Sequence, residues 1–179
     1  MNRLTALRKY AHLPVRLVNC SHIVMAVKKQ SAGILVYRIV KKKLEVFLVH
    51  PGGPFWKNKD AAAWSIPKGE FDADEAALDA AQREFEEETG VRLKGKFIEL
   101  QPVKQKSGKT VHAWAHEGEI DASNIKSNSF EIEWPPKSGK KASFPEIDKA
   151  GWFDLKTGKE KINAYQVNLL EQLEELLNN

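Results

Sequence analysis

The stretch from Gly69 to Val91 constrains this chain more than any other: a glycine, five residues, Glu75, seven residues, then Arg83-Glu84-Phe85-x-Glu87-Glu88-x-Gly90-Val91. Within it, Asp72 to Thr89 has the composition of a helix, with alanines and glutamates, no β-branched residue before Thr89, and Gly90 set as a C-terminal stop. Asp72 with Glu75 predicts a capping box. At about 100° per residue, Glu87 and Glu88 fall roughly 60° and 40° to either side of Glu84, so three carboxylates share one face. The same face one and two turns earlier carries Ala77, Ala80 and Ala81, residues suited to close packing on a sheet. The carboxylates are therefore expected to turn toward the body of the protein.

Three like charges in a partly enclosed place raise one another's pKa values unless a cation offsets them. An all-oxygen, carboxylate-rich set favours Mg²⁺ or Mn²⁺ over zinc, so metal plus Arg83 is the expected compensation. Most glutamate-rich helix ends are simply solvated. Such a face has no reason to keep fixed spacings, and this one arises by chance on the order of once in ten million starting points. The solvated reading is set aside on that ground.

The flanks describe strands. SAGILVYRIV (31–40) and LEVFLVH (44–50) read as a hairpin around a turn of three lysines, followed by a breaker-rich loop from Pro51 to Asp60 and a short strand in AAAWSI. KFIELQPVKQ and KTVHAWAHEGEI predict a second antiparallel pair turning at Ser107-Gly108. Trp134 to Asp148, with its prolines and lysines, is expected to be a mobile surface loop that could shape a binding mouth. GWFDL returns as a strand, and Tyr165, Leu169, Leu173 and Leu176 mark a closing amphipathic helix.

The net charge of +4 is unevenly spread. Ten Lys/Arg and no acid lie between Met1 and Leu44, leaving eighteen basic against twenty-four acidic residues in the remainder. A basic total alone therefore does not point to nucleic acid. One cysteine, Cys20, forbids an internal disulfide and makes a reducing cytoplasm the default. No apolar run reaches the length that spans a bilayer. Residues 1–30 are expected to be a basic, loosely ordered extension. Their composition loosely suits a transit peptide, yet MAVKKQSAG at Met25 reads as a natural start. Residues 31–179 are expected to form one domain. Nothing in the residues fixes an oligomeric state.

Gly69 to Val91 resembles the signature box of the Nudix hydrolase superfamily at every fixed position, with Phe85 where aliphatics are commoner. SAGILVYR, WSIPKGE and FPEIDKAGWFDL are similar to flanking elements of small bacterial members, so the resemblance runs from about Ser31 to the C-terminus. It implies an α/β fold, an α/β/α sandwich around a mixed sheet, and hydrolysis of a nucleoside diphosphate linked to another group. It further implies that Glu84, Glu87 and Glu88 bind metal, with the carbonyl of Lys68 as a further oxygen. Arg83 would orient a glutamate together with Glu75. Glu84 is the candidate base within the box; Glu131, Glu133 and Glu146 are unranked candidates downstream. Trp64 and Lys68, in a W-x-x-P-K-G approach shared with dinucleoside polyphosphate hydrolases, are the implied substrate contacts, although Lys68 equally suits the flank of a tight turn. Trp114, Trp56 and Phe55 are candidates either to stack on a base or to pack. The implied partner is a small nucleotide, a triphosphate or a dinucleoside polyphosphate. A nucleotide or RNA sensor without turnover is the rival reading.

Overall fold

The computed structural model describes residues 29–178; the expected extension therefore lies, but for its last two residues, outside the described residues. Strand β1 (Gln30–Val40) occupies the centre of a six-stranded sheet ordered β4-β5-β1-β2-β8. The others are β2 (Lys43–Pro51), β3 (Lys68–Phe71), β4 (Ile98–Lys104), β5 (Thr110–Glu117) and β8 (Ile147–Asp154). One edge of β1 is shared: its first half pairs antiparallel with β3 and its second half with β2, while β5 runs parallel along the other edge. The sheet is mixed, as expected, and both predicted antiparallel pairs form.

Side chains alternate across β1, and both faces are buried. Ala32, Ile34 and Val36 face α1 (Ala77–Thr89), packing with Phe47, Val49, Ala80, Ala81 and Phe85. Leu35 and Tyr37 face the opposite layer, where α3 (Val167–Asn178) contributes Leu169, Leu170 and Leu173. The result is the α/β/α sandwich. Tyr165 lies in a single 3₁₀ turn before α3, and α2 (Leu155–Lys161) supports the same layer, a short helix that the sequence pattern did not announce.

Three expectations need correction. The helix begins at Ala77, with Ala76 as an N-cap that has no side-chain bond, because Asp72 and Glu75 are joined instead in a backbone turn, Glu75 N to Asp72 O at 3.2 Å. AAAWSI forms only isolated bridges, Trp64 with Ile162 and Ser65 with Val49; the strand follows it, at β3. The expected loop from Trp134 to Asp148 is largely ordered, as β6 (Ser129–Glu133) and β7 (Lys141–Pro145) form their own two-stranded sheet and β8 begins at Ile147. Alternation of exposed and part-buried residues in SFEIE and KASFP carries that hairpin, and the prolines mark its turn and end. Among the described residues, no helix is long and apolar enough to cross a membrane.

Candidate active site on the acidic face of helix α1

Alanine is what lets α1 lie close. Ala80 and Ala81 are fully buried against the sheet, which brings the C-terminal half of the helix down beside β3. There Gly69 meets Glu84 directly: a Cβ at Gly69 would stand 1.8 Å from Oε2 of Glu84 and 1.9 Å from its Cδ. Any larger residue would displace that carboxylate.

Arg83 organises the acids. Its Nε and Nη2 donate to the two oxygens of Glu75, each at 2.9 Å, a bidentate pair. Its Nη1 donates to Glu84 Oε1 at 2.6 Å and to Glu87 Oε2 at 3.4 Å. Glu75 consequently sits below the usual carboxylate range, chiefly through the Arg83 hydrogen bond. Arg83 itself is raised, first by its bond to Glu75.

Two acids of the face move the other way. Burial pushes Glu84 up, partly opposed by Arg83 and reinforced by the charges of Glu87 and Glu146. Glu88 is pushed up to about 8, again first by burial, with Glu84 and Glu146 adding repulsion. Its Oε2 accepts from the backbone N–H of Lys68 at 3.0 Å, and the Lys68 ammonium draws it partly back. Burial thus outweighs the nearby Arg83 at Glu84 and Lys68 at Glu88. Among the described residues, however, no three His, Cys, Asp or Glu side chains already stand grouped to hold a metal ion, and Arg83 lies bonded to Glu75, Glu84 and Glu87.

The end of α1 is tied to a distant loop. Gly90, at φ 74°, caps the helix by donating to the Glu86 carbonyl at 2.7 Å. Lys126 N donates to Thr89 O and Asn128 N to Glu87 O. The relay continues from Glu146 N to Asn128 O and from Gly52 N to Glu146 O, both at 2.8 Å. Glu146 is thereby held where its charge reaches Glu84 and Glu88, although residues 72–145 separate it from β3 in sequence. Glu131 and Glu133 lie on the separate hairpin, the first beside Lys141 at 3.8 Å and the second accepting from Gly139 N.

The residues named from sequence thus divide. Arg83, Glu75, Glu84, Glu87, Glu88 and Lys68 come together. Trp64 does not: it is 6% exposed in the opposite layer, edge-on to Phe153 and His50, with Nε1 bonded to Asp60 Oδ1 at 2.8 Å. A ring so enclosed is a packing element, and the expectation that it touches substrate is corrected. Trp114 is likewise buried, and Trp56 packs against the core beneath Lys59. The relay through Asn128 was missed; its one sequence signal is FPEI, a proline holding an acid at the mouth of a strand.

The sequence profile of the NUDIX domain matches residues 28–173. No curated protein matches the chain significantly. Among solved structures, the chain is similar to the Ap4A hydrolase of C. elegans in a binary complex, with 21% identity, a TM-score of 0.59, and coverage of 84% of this chain and 98% of that one. It is also similar to the NUDIX domain of Shewanella oneidensis NrtR complexed with ADP ribose, at 18% identity and TM-score 0.61 over 90% and 96% of the two chains. The MutT protein of Methanosarcina mazei Go1 is similar at 20% identity and TM-score 0.56 over 85% and 96%. At such identities these likenesses carry the fold.

Proposed function

This chain belongs to the Nudix family and is by that membership a hydrolase of phosphoanhydride bonds, and we propose that it cleaves a nucleoside diphosphate linked to another group, a nucleoside triphosphate or a dinucleoside polyphosphate. The observation that carries the reading is the pairing of two partly buried carboxyls, Glu84 and Glu88, raised by burial, with an arginine that binds Glu84 and its neighbours Glu75 and Glu87.

An all-oxygen donor set with two carboxyls raised by burial fits a divalent ion, Mg²⁺ or Mn²⁺, held by Glu84, Glu87 and Glu88 with the Lys68 carbonyl as a further oxygen. When bound, such an ion neutralises phosphate charge and acidifies a water molecule. The protein's own groups supply the rest. Arg83, clamped by Glu75, holds Glu84 in place and prevents the acids from scattering. Lys68 reaches with its ammonium for a substrate phosphate. Glu146, the downstream acid whose charge is felt at the cluster, takes the proton as the water oxygen bonds to phosphorus and the anhydride P–O bond breaks. A small nucleotide as partner and a reducing cytoplasm belong to the same reading, the latter supported by a single cysteine.

The test is turnover of a panel of triphosphates, dinucleoside polyphosphates and ADP-ribose, with Mg²⁺ and then with chelator. Metal-dependent turnover that falls at least 100-fold in Glu87→Gln, with the fold intact by circular dichroism, supports the proposal. The rival, a sensor that binds without turnover, draws on the absence of a ready-made three-acid group among the described residues. Nucleotide binding with no hydrolysis of any panel member would decide for the rival.

A further inference from the structure

Four aromatic residues, Phe55, Phe130, Trp134 and Phe144, belong to neither layer of the core. They gather where the loop after β2 meets the β6–β7 hairpin. Phe55 is 62% exposed and stands edge-on to Trp134 at 5.5 Å; Phe130 and Phe144 lie 6.2 Å apart across the hairpin. Gly53 lets the Phe130 ring come close, since a Cβ there would be 3.0 Å from its Cζ. Between these parts opens a cavity of about 490 Å³ lined by Gly53, Lys57, Trp134, Phe144, Pro145 and Asp148. Its size lies in the range that small ligands occupy.

The walls are held by a buried histidine. His50, 1% exposed, bonds through Nδ1 to Asp148 Oδ1 at 2.7 Å and through Nε2 to the Lys59 carbonyl at 2.8 Å. One contact fixes the start of β8, the other the end of the loop that bears Phe55 and Lys57. The second carboxylate oxygen of Asp148 has no partner among the described residues and is free to accept. The cavity wall is also joined through the backbone to an acid that acts on the cluster: Gly53 and Pro145 line it, and their chain neighbours Gly52 and Glu146 are hydrogen-bonded, N to O at 2.8 Å, Glu146 being the acid felt by Glu84 and Glu88.

We propose that this cavity seats the nucleobase of the substrate. The proposal rests on the phosphoanhydride reading of the neighbouring site and adds the part of the molecule that is recognised. Trp134 and Phe144 offer faces for stacking, a mode open to every base. Asp148 narrows the choice, because a carboxylate acceptor favours a base that presents an exocyclic amino group and repels a bare phosphate. Adenine, guanine or cytosine satisfies it best. The phosphates then run past Pro145 toward Glu146 and the acids of α1, with Lys57 at the opening offsetting their charge.

The test is tryptophan fluorescence with nucleoside monophosphates in chelator, where no turnover is needed, alongside steady-state kinetics with Mg²⁺. AMP, GMP or CMP should quench saturably, UMP more weakly, and ribose 5-phosphate not at all. Trp134→Leu should abolish the quench and raise KM about 5- to 100-fold, with kcat within threefold, while Trp134→Phe retains most of both. Phe144→Leu should act in the same direction, a second reading if the first variant folds poorly. Unchanged quench and unchanged KM in the leucine variants would overturn the proposal and leave the hydrolase reading standing. Trp134-dependent quenching in a protein that hydrolyses nothing would do the reverse.

Discussion

Replacing Gly69 with alanine should separate stability from activity. The new Cβ would lie 1.8 Å from Glu84 Oε2 and 2.4 Å from Oε1. Ordinary contact is about 3.5 Å, so the carboxylate must retreat by about 1.7 Å. That retreat breaks its 2.6 Å bond to Arg83. A charge-assisted bond of this kind contributes roughly 1.5–3 kcal/mol when fully enclosed, and Arg83 is partly exposed, so about 1 kcal/mol is a fair loss. Gly69 lies in strand β3 without a positive φ, and alanine there regains about 0.4–1 kcal/mol by restricting the unfolded chain. The two effects nearly cancel, and the midpoint of thermal unfolding should move by no more than about 4 °C. Catalysis has no such offset: a misplacement near 1 Å costs on the order of 100-fold. The assay is kcat and kcat/KM for the best substrate beside a thermal melt. A second substitution sharpens it, since Glu84→Asp withdraws the carboxylate by one methylene and makes room. In the double variant the two losses should be less than multiplicative. Gly69→Ala with wild-type kcat, or a strictly multiplicative double variant, would refute the close-contact argument.

Other outcomes follow from the same site. Glu88 is raised to about 8 against an ordinary value near 4.5, so the folded protein holds a proton that the unfolded chain has released between those values. In chelator its contribution to stability must therefore fall as pH rises from about 4.5 to 8 and stay level above. Since the group is only partly buried, a loss of about 1–3 kcal/mol is expected, read as the difference between urea titrations of the native protein and Glu88→Gln across pH 5–9; parallel curves would contradict the burial account. Arg83→Lys, which cannot form the two-pronged contact with Glu75, should lower kcat about tenfold or more with KM little changed, and an unchanged kcat would deny Arg83 its positioning role. Trp64→Phe should cost about 1–2 kcal/mol in a denaturation curve and leave KM alone; a raised KM would restore Trp64 to the binding site.

Elements whose cause is local were legible in advance. β1 and β2 are continuous apolar runs because both their faces are covered, and α1 could be oriented from its alanines alone. The acid face was legible for the same reason: helical periodicity puts Glu84, Glu87 and Glu88 together regardless of what surrounds them. Glu75 was readable as Arg83's partner through the resemblance, but its place before the helix was not, since a capping box and a backbone turn use the same residues. Trp64 misled because its neighbours in sequence are site residues while its side chain enters the other layer. Glu146 could not be ranked above Glu131 and Glu133 from sequence, since what singles it out is a hydrogen-bond relay through Asn128. The hairpin that bears Glu131 and Glu133 was hidden by its lysines and prolines, which resemble those of an irregular loop.

That relay has a bearing on how freely the protein can be lengthened. Surface connections ordinarily accept insertions, yet the segment from Lys126 to Asn128 donates to the last carbonyls of α1 and accepts from Glu146. One residue added between Thr89 and Asn128 next to those anchors would slip the whole register and swing Glu146 away from its companions. Extra residues at the tip around Gly139, where a Cβ meets nothing within 4 Å, would leave the acids of α1 and Glu146 where they are. Tags and grafted epitopes belong at the second place and not the first.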